Sequence, residues 1–125
     1  MKQLSYLLFI FILLLSGCKK DDQDNELKFT RHSGNPVMLP GSATDWDKEF
    51  VGFGSVIYHN NKYHMWYSGG SLSDTLRIGY ATSPDGTNWA KYSSNPVLKP
   101  GKSGTWDSWS VATMSVIDED GKYKM

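Results

Sequence analysis

The sequence is short of most features that announce a function. Its 125 residues hold one cysteine, Cys18, so no disulfide can form within a single chain. Basic and acidic residues number 13 each, which leaves no electrostatic footprint for nucleic acid or an anionic membrane surface. The three histidines, His32, His59 and His64, are scattered and do not form a metal set. No glycine-rich loop of the P-loop or dinucleotide type is present, and no cofactor is expected. No window carries the 3.6-residue apolar period of an amphipathic helix.

The longest apolar run, from about Leu4 to Leu15, is too short to span a bilayer comfortably, which takes roughly 20 residues. Behind Lys2 it reads as the h-region of a secretory signal peptide covering residues 1–17. It ends in LLSGC, which resembles a bacterial lipobox, and that resemblance implies a lipid anchor on Cys18. Removing residues 1–17 takes only Lys2 from the charges and leaves 12 basic to 13 acidic residues. Residues 18–30 are charged and poor in aromatics, as expected of a solvated tether. Their start, CKKDDQD, also resembles the Lys-then-acidic signal that sends some bacterial lipoproteins to the cell surface. The expected location is therefore the cell envelope, at the outer membrane.

What the chain does have is a repeat. Residues 35–65 lie over 95–125 without a gap, and 14 of the 31 positions are identical. NPVMLPG (Asn35–Gly41) returns as NPVLKPG (Asn95–Gly101), Trp46-Asp47 as Trp106-Asp107, and Ser55-Val56-Ile57 as Ser115-Val116-Ile117. A constant offset of this size points to a solenoid or a propeller. The period reads as four strands. FVGFGSVIYH (Phe50–His59) is rich in β-branched and aromatic residues, KYHMWYS (Lys62–Ser68) alternates, LRIGYAT (Leu76–Thr82) follows a loop, and WAKY (Trp89–Tyr92) follows an Asp-Gly turn. Four antiparallel strands per repeat make the blade of a β-propeller. The first blade is expected over about 50–92 and the second from about 109, its first strand being Val111–Asp118. The chain would then hold about one and a half of five blades. NPV is expected to join blades, because a residue before proline is pushed out of the α region.

These motifs carry a resemblance. NPVL, WD, SVI, YHMWYSGG and IGYATSPDGTNW together resemble the five-bladed propeller glycosidases, near glycoside hydrolase families 43, 32 and 130. The likeness covers residues 31–125. SPDGTNW (Ser83–Trp89) is also similar to the Asp box of sialidases, but its Asp85 and Gly86 are adjacent, a departure of one position. The resemblance implies a site at the propeller axis with two carboxylates from different blades, whose separation sets inversion or retention. Many family 43 enzymes carry an Asp just before the SVI-like strand. Here Phe53-Gly54 and Thr113-Met114 occupy that place.

The repeat sorts the candidates. A residue shared by both copies is explained most simply by the blade, and an unshared polar residue near the axis is a better candidate for chemistry. Glu49 does not recur, since Trp109 takes its place; Asp47 recurs as Asp107. Glu49 and Asp47 are the candidate acids. Trp109, Asp107, Arg31 and Arg77 are the candidate substrate contacts, with Trp109 suited to stacking on a pyranose face. Arg31 enters through the resemblance, because family 130 phosphorylases have an Arg near a similar NP. The expected function is a glycosidase-like propeller lipoprotein that meets carbohydrate. The alternatives are a non-catalytic carbohydrate-binding propeller and a family 130-type phosphorylase. The first testable outcome concerns the anchor: a clickable fatty acid should label the protein, and Cys18→Ser should abolish both labelling and membrane retention. Undiminished labelling of that variant would refute the lipobox.

Overall fold

The computed structural model describes residues 28–125; the signal peptide, Cys18 and most of the tether lie outside the described residues. Among the described residues all regular structure is β. Strands β1 (Phe50–His59), β2 (Lys62–Gly70), β3 (Leu76–Ser83) and β4 (Ala90–Lys91) form one antiparallel sheet in sequential order. Strands β5 (Ile117–Glu119) and β6 (Lys122–Lys124) form a separate antiparallel pair. The four-stranded meander is the blade that the sequence predicts. The five-blade count reaches beyond these residues.

Local chemistry explains the turns. The β1–β2 hairpin closes through Asn60 and Asn61, both with positive φ (49° and 58°). That is the primed two-residue turn whose twist matches its strands, and asparagine tolerates the left-handed region. The β5–β6 hairpin repeats it sixty positions later with Asp120 and Gly121 (53° and 74°). The β3–β4 turn is tied by Asp85. Its carboxylate accepts the backbone N–H groups of Thr87 and Asn88 and the Asn88 amide, while Ser83 Oγ donates to it and accepts from Gly86 N–H. Trp89 Nε1 donates to the Gly86 carbonyl at 3.0 Å.

Asn95 ties the second NPV element to the sheet. Its side chain stands in for a strand neighbour of β3: Oδ1 accepts Tyr80 N–H at 2.8 Å, and Nδ2 donates to the Tyr80 carbonyl at 2.9 Å. Val97 and Leu98 then hydrogen-bond to Ile78, extending the edge that β4 begins. The peptide bonds before Pro36 and Pro96 are both cis.

One face of the sheet is covered by residues 110–116. This segment is not the long strand expected from Val111 to Asp118; only Ile117–Glu119 pairs. It crosses the sheet instead, and its backbone bonds go to the sheet it covers. Val111 N–H donates to the Leu76 carbonyl, Thr113 N–H to Ser68 Oγ and Val116 N–H to Ser55 Oγ. The crossing buries Trp66, Ile78 and Val116 with Ile57, Tyr80, Val111 and Met114 around them. This is the seam at which one repeat packs on the next. His59 Nδ1 and Asp118 Oδ2, 2.5 Å apart, join the two hairpins at its far end.

The opposite face is pinned by Asp47, which is 2 % exposed. Its Oδ2 accepts the Tyr67 hydroxyl at 3.1 Å and Lys91 Nζ at 2.7 Å. Trp46 stacks on Tyr67, with centroids 5.9 Å apart and planes 29° apart. The Tyr67 ring lies directly on Gly79, where any Cβ would collide with it. Burial, then the Asp47 carboxylate, push the Tyr67 phenol well above its usual range.

Two outcomes follow from these ties. Asp47→Ala should cost about 2 kcal/mol in chemical denaturation, because it leaves a buried hydroxyl without its acceptor; an unchanged midpoint would contradict the tie. Hydrogen bonds, first from Asn88 N–H, hold the Asp85 carboxyl far below the usual aspartate range. A depressed folded value contributes stability above the unfolded value, about 3.9, and loses it as the pH falls. The melting-temperature gap between the wild type and Asp85→Ala should therefore be widest near neutrality and narrow below about pH 4.

Candidate functional site

The loops that enter β1 and join β2 to β3 lie at one end of the sheet. The entering loop, residues 41–49, is compact because its backbone bonds to itself. Gly41 N–H donates to the Asp47 carbonyl, Asp45 N–H to Ser42 and Lys48 N–H to Asp45. The second copy repeats all three bonds, from Gly101 to Asp107, Thr105 to Lys102 and Ser108 to Thr105. Asp45 adds side-chain bonds: its Oδ2 accepts the Ser42 N–H and hydroxyl at 2.6 and 2.8 Å. Those bonds, the hydroxyl first, lower the Asp45 carboxyl below its ordinary value.

With Asp47 anchored beneath, this loop faces residues 70–75 across a cleft of about 470 Å³. Glu49, Asp45 and Asp74 bring three carboxylates to its walls, and Arg77 and Lys48 bring two cations. Ser71, Ser73 and Thr75 supply hydroxyls. A cleft with both signs of charge at strand ends can hold an anion and place a carboxyl beside it. Glu49 also borders a smaller hollow of about 240 Å³ lined by Phe50 and Leu72.

The structure thus brings together Glu49 and Arg77, two of the candidates named from sequence. Asp47 does not line the cleft; its side chain is turned to Tyr67 and Lys91. Trp109 is 74 % exposed and does not line the cleft; its carbonyl accepts the hydroxyl of Thr75, a wall residue, at 2.6 Å. Asp107 is half-buried and accepts Thr105 Oγ1 at 2.7 Å. Arg31 lies elsewhere, in an apolar hollow of about 520 Å³ with Val37, Met38, Met65 and Tyr67. Sequence reasoning missed Asp45, Lys48 and Asp74. Asp74 belongs to a loop whose composition signals only a turn, and no local pattern tells that it returns to face Glu49. Among the described residues no group of three metal-ligating side chains converges.

No family model matches the chain. It is 32 % identical over 111 residues to a beta-1,2-mannobiose phosphorylase of Thermoanaerobacter sp. (strain X514), which covers 78 % of this chain and 36 % of that protein. It is 29 % identical over 79 residues to a 1,2-beta-oligomannan phosphorylase of the same strain, covering 58 % of this chain and 26 % of that one. A shorter match, 40 % over 52 residues, is to an A type blood N-acetyl-alpha-D-galactosamine deacetylase of Flavonifractor plautii, covering 42 % of this chain and 7 % of that protein. The chain spans about a third or less of the length of the curated relatives it matches. Its relatives include phosphorylases of mannose-containing oligosaccharides, and its all-β sheet is consistent with the propeller superfamily of glycoside-active enzymes.

Proposed function

We propose that this chain forms part of a propeller enzyme that cleaves mannose-containing oligosaccharides by phosphorolysis. One observation carries the reading: Arg77 and Lys48 share a cleft with Glu49. Hydrolysis needs only a water beside its acid pair. Phosphorolysis must hold a multiply charged anion beside a sugar; Arg77 and Lys48 are the cations that can hold it, set among the carboxylates of Glu49, Asp45 and Asp74. The similarity to two phosphorylases supports the same choice over a glycoside hydrolase.

In this reading a phosphate oxygen attacks the anomeric carbon while the bond from that carbon to the bridging oxygen breaks. Glu49, as the acid, gives its proton to the leaving oxygen, and the products are a sugar 1-phosphate and a shortened sugar. Arg77 and Lys48 hold the phosphate and spread its charge. Asp47 acts as a positioning residue, since both of its bonds point into the fold. Any second carboxylate would come from another blade of a five-bladed ring. The LLSGC motif supports tethering through a lipid on Cys18 at the envelope, where such an enzyme would meet glycans.

The test is incubation of the full-length protein with β-1,2-mannobiose, with and without inorganic phosphate. Phosphate-dependent release of mannose and mannose 1-phosphate is expected. Glu49→Gln should lower kcat by roughly 100-fold or more, and Arg77→Ala should raise the KM for phosphate. Mannose release without phosphate would replace the reading with hydrolysis. Sugar binding without any release would replace it with a carbohydrate-binding propeller.

A further inference from the structure

Phe53 is held in a conformation that a bulky residue rarely adopts. Its φ is +48°, at the bulge where the β1–β2 register shifts between Gly52 and Ser55. The corresponding Thr113 of the second copy has φ +53°, so the backbone shape belongs to the repeat. The side chain placed on it differs: Phe53 is an aromatic ring, 56 % exposed. This strained position leaves more than half of a large apolar ring exposed near the start of the sheet's edge strand. Strain of this kind collects where a fold holds a side chain for use.

The ring has a partner. Phe50 and Phe53 lie with centroids 5.3 Å apart and planes 47° apart. Phe50 reaches this place by folding back over Gly52, where a Cβ would stand 2.7 Å from the ring tip. Phe50 also lines the hollow that it shares with Glu49 and Leu72, and Leu72 is exposed as well. Glu49 therefore stands between two unlike surfaces. On one side are Arg77 and Lys48 of the polar cleft; on the other are Phe50, with Phe53 packed against it, and Leu72, while Ser71 and Ser73 border both hollows.

We propose that the Phe50–Phe53 pair is a stacking platform for a pyranose ring of the substrate, on the side of Glu49 away from the cations. This rests on the phosphorolytic reading for its orientation. In a displacement the nucleophile and the leaving group lie on opposite sides of the anomeric carbon. If the cations hold phosphate, the sugar that departs belongs on the apolar side, where its C–H face meets an aromatic surface. Glu49, bordering both, reaches the oxygen between them.

Calorimetric titration of β-1,2-mannobiose into the full-length protein needs no turnover, so it reads the platform apart from the reaction. Phe53→Gly removes the ring and suits the positive φ, so its melting temperature should not fall. Its affinity should drop by roughly tenfold, the scale of one aromatic contact, and Phe53→Trp should retain binding. Wild-type affinity in Phe53→Gly, or no binding by the wild type, overturns the platform. Binding that depends on Phe53 with no phosphate-dependent cleavage leaves the platform standing and removes the phosphorolytic reading.

Discussion

The buried carboxylate of Asp47 is the contact on which the candidate site depends. A loop at the entry to an edge strand has few ways to hold a shape, since most of its surface meets water. Here one side chain reaches inward, accepts a hydrogen bond from Tyr67 and pairs with Lys91, joining the loop to β2 and β4. Trp46 lies on Tyr67 beside it. The neighbours of these two residues, Asp45, Lys48 and Glu49, are thereby presented outward to the cleft. The tie costs little solvation on the Lys91 side, because that side chain stays 31 % exposed. In the first copy the Trp46-Asp47 pair points into the fold, and the residues around it are the ones that differ from the second copy.

Its second copy makes the point by contrast. Residues 101–108 reproduce the backbone bonds of 41–48, yet Trp106 is 97 % exposed, whereas Trp46 is half-buried on Tyr67. The loop shape is therefore local, written in its own turns and hydrogen bonds. The burial is not local, because it needs the aromatic of a neighbouring strand. The same division holds for residues 110–116. Their sequence is strand-like, but they spend their hydrogen bonds across the face of the first sheet and bury Val116 on Trp66 and Ile78. A strand-like composition states that a segment can be extended; only the surface beneath it decides what it pairs with.

Two chemistries meet at Glu49. Charged groups line one side of it and Phe50 and Leu72 the other, with Ser71 and Ser73 bordering both. Sugars have both kinds of surface, and enzymes that act on them must desolvate one face while keeping hydrogen bonds to the other.

The sequence by itself determined the four strands, nearly to the residue, because alternation, β-branching and the Asn-Asn and Asp-Gly turns act over a few positions. It also determined the sixty-residue repeat, since shared backbone geometry preserves shared residues. It singled out Glu49 by what the two copies do not share, and Arg77 as a basic residue on a strand. Only the tertiary structure decided that Asp47 turns inward, that Arg31 belongs to a different hollow, and that Asp45, Lys48 and Asp74 join Glu49. Those outcomes depend on loops meeting across the end of a sheet. Contacts between residues some thirty positions apart leave no period in the chain, and a carboxylate reads the same in sequence whether its partner is a buried tyrosine or open water.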